Sequence, residues 1–190
     1  MRTEVVVAGF GGQGVVLMGT VISKAAGLFE DKEVAQSQSY GPASRGGACR
    51  TDVIISTEAV DYTKALCPDV MILMSPMAAE RYLREARADK TVVIVDSSLV
   101  KEGSYPGRLY SVPATDIAER EHGARIVANM VMLGAFSAIT GLVTMSSLEQ
   151  LVPEHVPPRS LEVNLRALRS GYAYGLALVG GAAGGTGESP

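Results

Sequence analysis

Hydrophobic residues in this chain come in short unbroken runs, set apart by polar or glycine-rich punctuation. Glu4–Ala8 reads Glu-Val-Val-Val-Ala and stops at Gly9, the pattern of a buried strand. Val70–Ser75 and Thr91–Val95 are further continuous strands. Pro68 precedes the first, and Asp96-Ser97-Ser98 stops the second. Arg50–Ser56 alternates in part, Leu109–Val112 is short, and Glu33–Gln38 is a weaker strand. Between these runs the apolar spacing turns helical. The segment from Gly14 to Phe29 carries Val15, Val16, Met18, Ile22, Ala25 and Ala26. Met77–Arg87, Ala114–Glu121, Ile126–Thr140, Ser146–Val152 and Ser160–Val179 are further helices by the same criterion. Ser146, with Glu149 three residues on, predicts a capping box.

Continuous apolar strands alternating with helices predict an α/β fold, with a mostly parallel sheet covered on both faces and helices at the carboxyl end. No internal repeat is present. The expectation is a single domain over 1–179, followed by a flexible glycine-rich tail over 180–190. One stretch invites a different reading. Ile126 to Leu148 contains no charged residue and is long enough to span a bilayer. It also contains Asn129, Ser137, Thr140 and the Thr144/Ser146/Ser147 group, and Glu149 rather than Lys or Arg follows it. A buried core segment broken at Gly141 is the better reading, with no membrane contact.

Composition narrows the function. The 190 residues carry 17 Lys and Arg against 20 Asp and Glu, a net charge of −3, and Trp is absent. That excludes the basic field and the stacking platforms of nucleic-acid binders. The two cysteines, Cys49 and Cys67, form no CxxC pair and no Cys/His cluster. An iron–sulfur cluster or a structural zinc needs about four such ligands, so no metal site is expected in this chain. Isolated thiols and the lack of a signal-peptide pattern fit a cytoplasmic setting.

Gly9, Gly11 and Gly14 fit G-x-G-x-x-G between a strand and a helix, the context of a phosphate-binding turn. Nicotinamide dinucleotide binding wants an acidic residue roughly 20 residues on, at the end of the second strand. The candidate strand ends in Gln36-Ser37-Gln38 instead. Gln13 places an amide inside the turn, and Gly12 adds a further glycine. A tight turn with no small ligand is the alternative reading. The second unusual stretch is Ser39-Tyr40-Gly41-Pro42-Ala43-Ser44-Arg45-Gly46-Gly47. Arg45 on such a loop can clamp a phosphate or a carboxylate, or pair with a neighbouring carboxylate as a surface ion pair.

Together, Gly9–Gly14 and the Gln36–Gly47 stretch resemble the gamma subunit, or gamma domain, of 2-oxoacid:ferredoxin oxidoreductases. Asn129-Met130-Val131-Met132-Leu133-Gly134 and Asn164 are similar to that family too. The resemblance runs from about Arg2 to Leu178, and the Gln-Ser-Tyr-Gly-Pro form is most like the 2-oxoglutarate members (2-oxoglutarate synthase). It implies a Rossmann-like or flavodoxin-like three-layer sandwich packed on thiamine-binding alpha and beta subunits. A ferredoxin-like delta subunit and ferredoxin are the other expected partners. The implied reaction takes 2-oxoglutarate (or pyruvate or another 2-oxoacid), CoA and oxidised ferredoxin to an acyl-CoA, CO2 and reduced ferredoxin. Thiamine diphosphate, magnesium and iron–sulfur clusters would belong to other subunits, and CoA would be shared. Carried over, the implied cofactor-facing residues are Gly9, Gly11, Gly12, Gln13, Gly14, Tyr40, Arg45, Gly46 and Gly47. No residue is a good catalytic candidate. His122 and His155 are expected to be solvated, Asp96 to cap a turn, and Asn129 to satisfy a buried hydrogen bond or meet a partner. A stand-alone NAD-binding enzyme is the alternative reading.

Overall fold

A computed structural model describes residues 1–40, 48–101 and 103–183, the last two by backbone alone. Its centre is a six-stranded sheet in the order β2-β3-β1-β4-β5-β6. The strands are β1 (Arg2–Phe10), β2 (Glu33–Tyr40), β3 (Ala48–Ser56), β4 (Val70–Leu73), β5 (Val92–Asp96) and β6 (Arg108–Val112). The helices are α1 (Val15–Phe29), α2 (Pro76–Tyr82), α3 (Ala114–His122), α4 (Ala128–Thr140), α5 (Met145–His155) and α6 (Leu161–Ala183).

The period-two rule of strands builds the layers. In β1, Val5 and Val7 face a core made with α1, α3, α4, α5 and α6. Val6 and Ala8 face a smaller core closed by α2 through Ala78, Ala79 and Tyr82. The result is a three-layer sandwich, heavier on the face that carries the late helices. β1, β4, β5 and β6 run parallel, whereas β3 is antiparallel to both β1 and β2. The short connection between Tyr40 and Ala48 dictates this, since a parallel return needs a crossover of about a dozen residues. Its consequence is that β2 is not a neighbour of β1, so the strand that bears the ribose-binding acid in a dinucleotide fold is displaced.

The uncharged stretch is buried core, as its polar residues predicted. It splits into α4 and α5 at Gly141, which takes a left-handed φ of 63°. No helix of the described residues is long and apolar enough to cross a membrane. α4 and α6 cross at glycines. A Cβ at Gly134 would overlap the Leu168 carbonyl, and one at Gly171 the Val131 carbonyl, so the two backbones touch.

Several local expectations change: the strand expected to stop at Gly9 runs through Phe10, and the helix expected over Met77–Arg87 ends at Tyr82, with a 3-10 turn over Leu83–Glu85. β2 continues through Ser39 and Tyr40, two residues that the sequence assigned to the loop. The cap of α5 is Thr144 rather than Ser146, two residues earlier than expected. The Thr144 hydroxyl accepts from Ser147 N at 3.2 Å, and Glu149 instead accepts from Arg169 at 2.6 Å. α6 runs to Ala183, four residues into the expected tail, because Gly180–Ala183 follow helical neighbours with no proline to stop them. The remainder of that tail lies outside the described residues.

Candidate functional site

The glycine turn closes the carboxyl end of β1, the edge where ligands sit in α/β sheets. Its four glycines are glycine for different reasons. Gly9 lies inside β1, where a Cβ would stand 2.9 Å from Val15 Cγ2 and 3.3 Å from Met74 Cβ. Gly12 and Gly14 have φ of 100° and 71°, the left-handed region that L side chains avoid. At Gly14 a Cβ would also overlap the Asn129 side chain. Gly11 has neither reason: it is exposed, its φ is ordinary, and a Cβ there would meet no described atom within 4 Å.

Gln13 is a clasp. Its Oε1 accepts from Phe10 N at 2.9 Å, and its Nε2 donates to the Met74 carbonyl at 2.7 Å. One side chain therefore fixes the turn to itself and to the end of β4. These two bonds position the turn, and Gln13 also lines the first of the clefts at this edge.

Tyr40 is at the same sheet edge. Gly9 and Tyr40 both pair with Cys49, so the three form one row across β1, β3 and β2. Tyr40 is 68% exposed, and its hydroxyl donates to Gln38 Oε1 at 3.1 Å. Arg45, Gly46 and Gly47, with the rest of 41–47, lie outside the described residues. Cys49 is buried, burial pushes its thiol pKa up, and it is not poised as a nucleophile.

Two clefts open beside the glycine turn. The first, about 330 Å³, is bounded by Phe10, Gly12, Gln13, Thr115, Arg125 and Asn129 among others. The second, about 490 Å³, runs past Gly14 and Leu17 to Arg159, Val163 and Asn164. Gly12, Ile126 and Asn129 border both. Gly14 gives α1 no side-chain cap. The first-turn amides of α1 therefore have no intrahelical partner and carry the positive end of the helix dipole.

Surrounding residues hold this edge rigid. Asp96, fully buried at the end of β5, accepts from the Thr115 hydroxyl at 2.6 Å and from Ser98 N at 3.1 Å, fixing the start of α3. That is the capping role its sequence context indicated. Asn164 donates to the Ser160 carbonyl at 2.7 Å and steadies the start of α6. Arg50 is not a ligand arm: it donates to Asp52 at 2.5 Å and to Glu85 at 2.6 Å, beneath Tyr82. Neither histidine is solvated as expected. His122 packs against α6 and shares a 3.1 Å hydrogen bond with the Ser170 hydroxyl. His155 Nε2 is buried without a partner among the described residues, and burial, followed by Lys24, lowers the ring's pKa. Thr115, Arg125 and Arg159 join the site only in three dimensions. Nothing in their local sequence marks them, since each stands alone among ordinary helix-start residues.

Known proteins agree with this architecture. The family described as Pyruvate ferredoxin/flavodoxin oxidoreductase matches residues 4–174. The 2-oxoglutarate synthase subunit KorC of Methanocaldococcus jannaschii is 41% identical over 175 residues, 90% of this chain and 93% of the relative. The keto/oxoacid ferredoxin oxidoreductase gamma subunit of Geobacter sulfurreducens superposes with a TM-score of 0.81 at 33% identity, covering 92% of this chain and 99% of that one. The 2-oxoglutarate:ferredoxin oxidoreductase of Magnetococcus marinus, solved with 2-oxoglutarate, coenzyme A and succinyl-CoA bound, shares the fold at a TM-score of 0.82 and 22% identity. This chain spans 93% of its own length there and 31% of that larger chain. With the fold, the glycine turn and these relatives in agreement, the chain belongs to the pyruvate ferredoxin/flavodoxin oxidoreductase family, as a gamma-type subunit of a 2-oxoacid:ferredoxin oxidoreductase.

Proposed function

We propose that this subunit serves a 2-oxoglutarate:ferredoxin oxidoreductase in the cytoplasm, packs on the thiamine-binding subunits, and helps enclose CoA with its glycine turn and the Tyr40–Gly47 stretch. The observation that carries the reading is Gly11. Packing explains Gly9, and backbone conformation explains Gly12 and Gly14; neither explains Gly11 among the described residues, and close approach from outside would give it a purpose. A ligand or partner laid against that backbone supplies it. The M. marinus enzyme, whose unit of the same fold accompanies bound coenzyme A, supports CoA as that ligand. The KorC relatives support 2-oxoglutarate as the 2-oxoacid. Thiamine diphosphate, magnesium and iron–sulfur clusters would be held by the other subunits, and ferredoxin would take the electrons. In this reading the chain's own residues bind and orient CoA, and catalysis belongs to its partners.

Reconstitution tests this. The alpha, beta and ferredoxin-like partners are assayed with and without this chain for CoA-dependent, viologen-linked oxidation of 2-oxoglutarate. Activity is expected only with the chain present, and equal activity without it would refute the proposal. A higher kcat/KM for pyruvate or another 2-oxoacid than for 2-oxoglutarate would reassign the substrate and leave the subunit role intact.

A further inference from the structure

We infer that the surface formed by the Lys64–Cys67 stretch and α2 docks an acidic segment of a protein partner, one that also carries an apolar side chain. Two grooves meet there. The first, about 360 Å³, is bordered by Lys64, Leu66 and Arg81 among others. The second, about 280 Å³, is bordered by Met77, Glu80, Arg81 and Arg84, so Arg81 joins the two. Charge is the first observation. Exposed arginines elsewhere keep a carboxylate: Arg120 has Asp116 at 3.7 Å, Arg166 has Glu162 at 3.6 Å and Arg169 has Glu149 at 2.6 Å. Lys64, Arg81 and Arg84 are exposed and make no ion pair among the described residues. Four cations and three acids border the two grooves, although the chain as a whole carries a net charge of −3. Two of those acids, Asp52 and Glu85, are taken up by Arg50 at 2.5 Å and 2.6 Å, which leaves Glu80 against three unpaired cations. Arg81 and Arg84, three residues apart where α2 gives way to the 3-10 turn, repel each other, and an anionic chain laid across both removes that repulsion.

Rigid display is the second observation. The Lys64–Cys67 stretch is neither helix nor strand, yet its backbone is pinned at four points. Ala65 N donates to Asp52 Oδ2 at 3.3 Å, and the Ala65 carbonyl accepts from Arg50 at 3.2 Å. Leu66 N and Cys67 N donate to Glu4 Oε2 at 2.7 Å and 2.8 Å. On this fixed backbone the Leu66 side chain is 67% exposed, and Met77 on α2 is 49% exposed. The Arg81 guanidinium lies over the Tyr82 ring at 5.5 Å, which orients its charge without neutralising it. Groups already held in place lose little freedom on binding. Cations set beside exposed apolar side chains select a carboxylate-bearing chain with an apolar anchor. A nucleic acid fits less well, because Tyr82, the aromatic on these walls, is 6% exposed and offers no open face to a base. The surface lies on the α2 side of the sheet, whereas α1 packs on the other, so the inference goes beyond the proposed function and does not rest on it.

The test titrates the ¹⁵N-labelled full chain with a synthetic octapeptide of Glu that includes one Leu and one Phe. Its amide shifts are expected at Lys64, Leu66, Met77, Arg81 and Arg84, and they should fade at high salt. The same peptide with Lys in place of Glu should cause none. Arg81→Ala/Arg84→Ala should weaken binding about fivefold, the loss expected for two exposed ion pairs. Arg120→Ala/Arg166→Ala removes the same charge from arginines that already have partners and should change it by less than about twofold. Leu66→Ser should weaken the mixed peptide and leave an all-Glu octapeptide unaffected. Thermal melts confirm that each variant is folded; if the Arg81→Ala/Arg84→Ala variant is not, Lys64→Ala at its exposed loop position takes its place. Absence of shifts at millimolar peptide, or an equal loss with the Arg120→Ala/Arg166→Ala control, would overturn the site. Tighter binding of a single-stranded RNA octamer to the same residues would overturn the protein partner.

Discussion

The α4–α6 crossing makes one prediction in which sign matters more than size. Replacing glycine by alanine inside a helix normally stabilises it by up to about 1 kcal/mol, because alanine loses less backbone entropy. Gly180, exposed near the end of α6, has no described atom within 4 Å of a built Cβ, so Gly180→Ala should gain at most that amount. Gly171 lies nine residues earlier in the same helix (180 − 171 = 9), where a Cβ would overlap the Val131 carbonyl and stand 2.7 Å from Val131 Cα. These are backbone atoms and cannot rotate away, so α4 and α6 must separate. Overpacking of this kind costs roughly 1–3 kcal/mol or more. Allowing for the propensity gain, Gly171→Ala should lose about 2 kcal/mol, a fall in Tm on the order of 4–8 °C for a chain of this size. Gly134→Ala, whose Cβ would overlap the Leu168 carbonyl, should behave alike. Differential scanning calorimetry of the three variants settles it. A Tm for Gly171→Ala equal to or above that of Gly180→Ala would refute the close crossing.

Three further outcomes follow. Gln13→Ala removes two hydrogen bonds, about 1 kcal/mol each at most for partly solvated groups, and should lower Tm by a few degrees. If the clasp is purely positional, Gln13→Glu should not restore stability, because a carboxylate cannot donate to the Met74 carbonyl; full recovery in thermal melts would contradict it. Glu30 accepts from the Ser147 hydroxyl at 2.7 Å and from Thr144 N at 3.0 Å, and these bonds, the Ser147 hydroxyl first, hold its pKa below the ordinary 4.5. Its stabilisation is therefore present above pH 4.5 and lost as pH falls through the lower folded value; Glu30→Gln should flatten that acid limb in denaturant titrations. His155, whose pKa burial lowers from 6.5, acts with the same sign: the unfolded chain binds its proton first, so stability should fall as pH drops below 6.5, and His155→Gln should lessen that slope.

The layers and most of the site's frame were legible in the sequence. Val5 to Ala8 reads as a strand buried on both faces because every residue in it is apolar, and the structure buries all four. Gly9–Gly14 reads as a strand-to-helix turn because glycine, unlike its neighbours, permits the φ values that Gly12 and Gly14 adopt. The absence of an acid after β2 already argued against a dinucleotide, and the displaced β2 supplies the geometric reason. Less legible were the cap of α5 and the end of α6, since two hydroxyl residues near a start, or glycines near an end, leave the boundary to a contact elsewhere. For α5 that contact is Glu30, from the far end of α1.

What the sequence determined by itself is local: alternation, runs, and the turn at Gly9–Gly14, each set by the conformational preferences of adjacent residues. What only the tertiary structure decided is which distant groups meet there. Gln13 closes on Met74, Asn129 lies against Gly14, and Arg125 and Arg159 line two clefts that share Gly12. Those meetings depend on strand order and on the tight α4–α6 crossing. Both are fixed by packing across the whole chain, which leaves no mark in the residues beside any one of them.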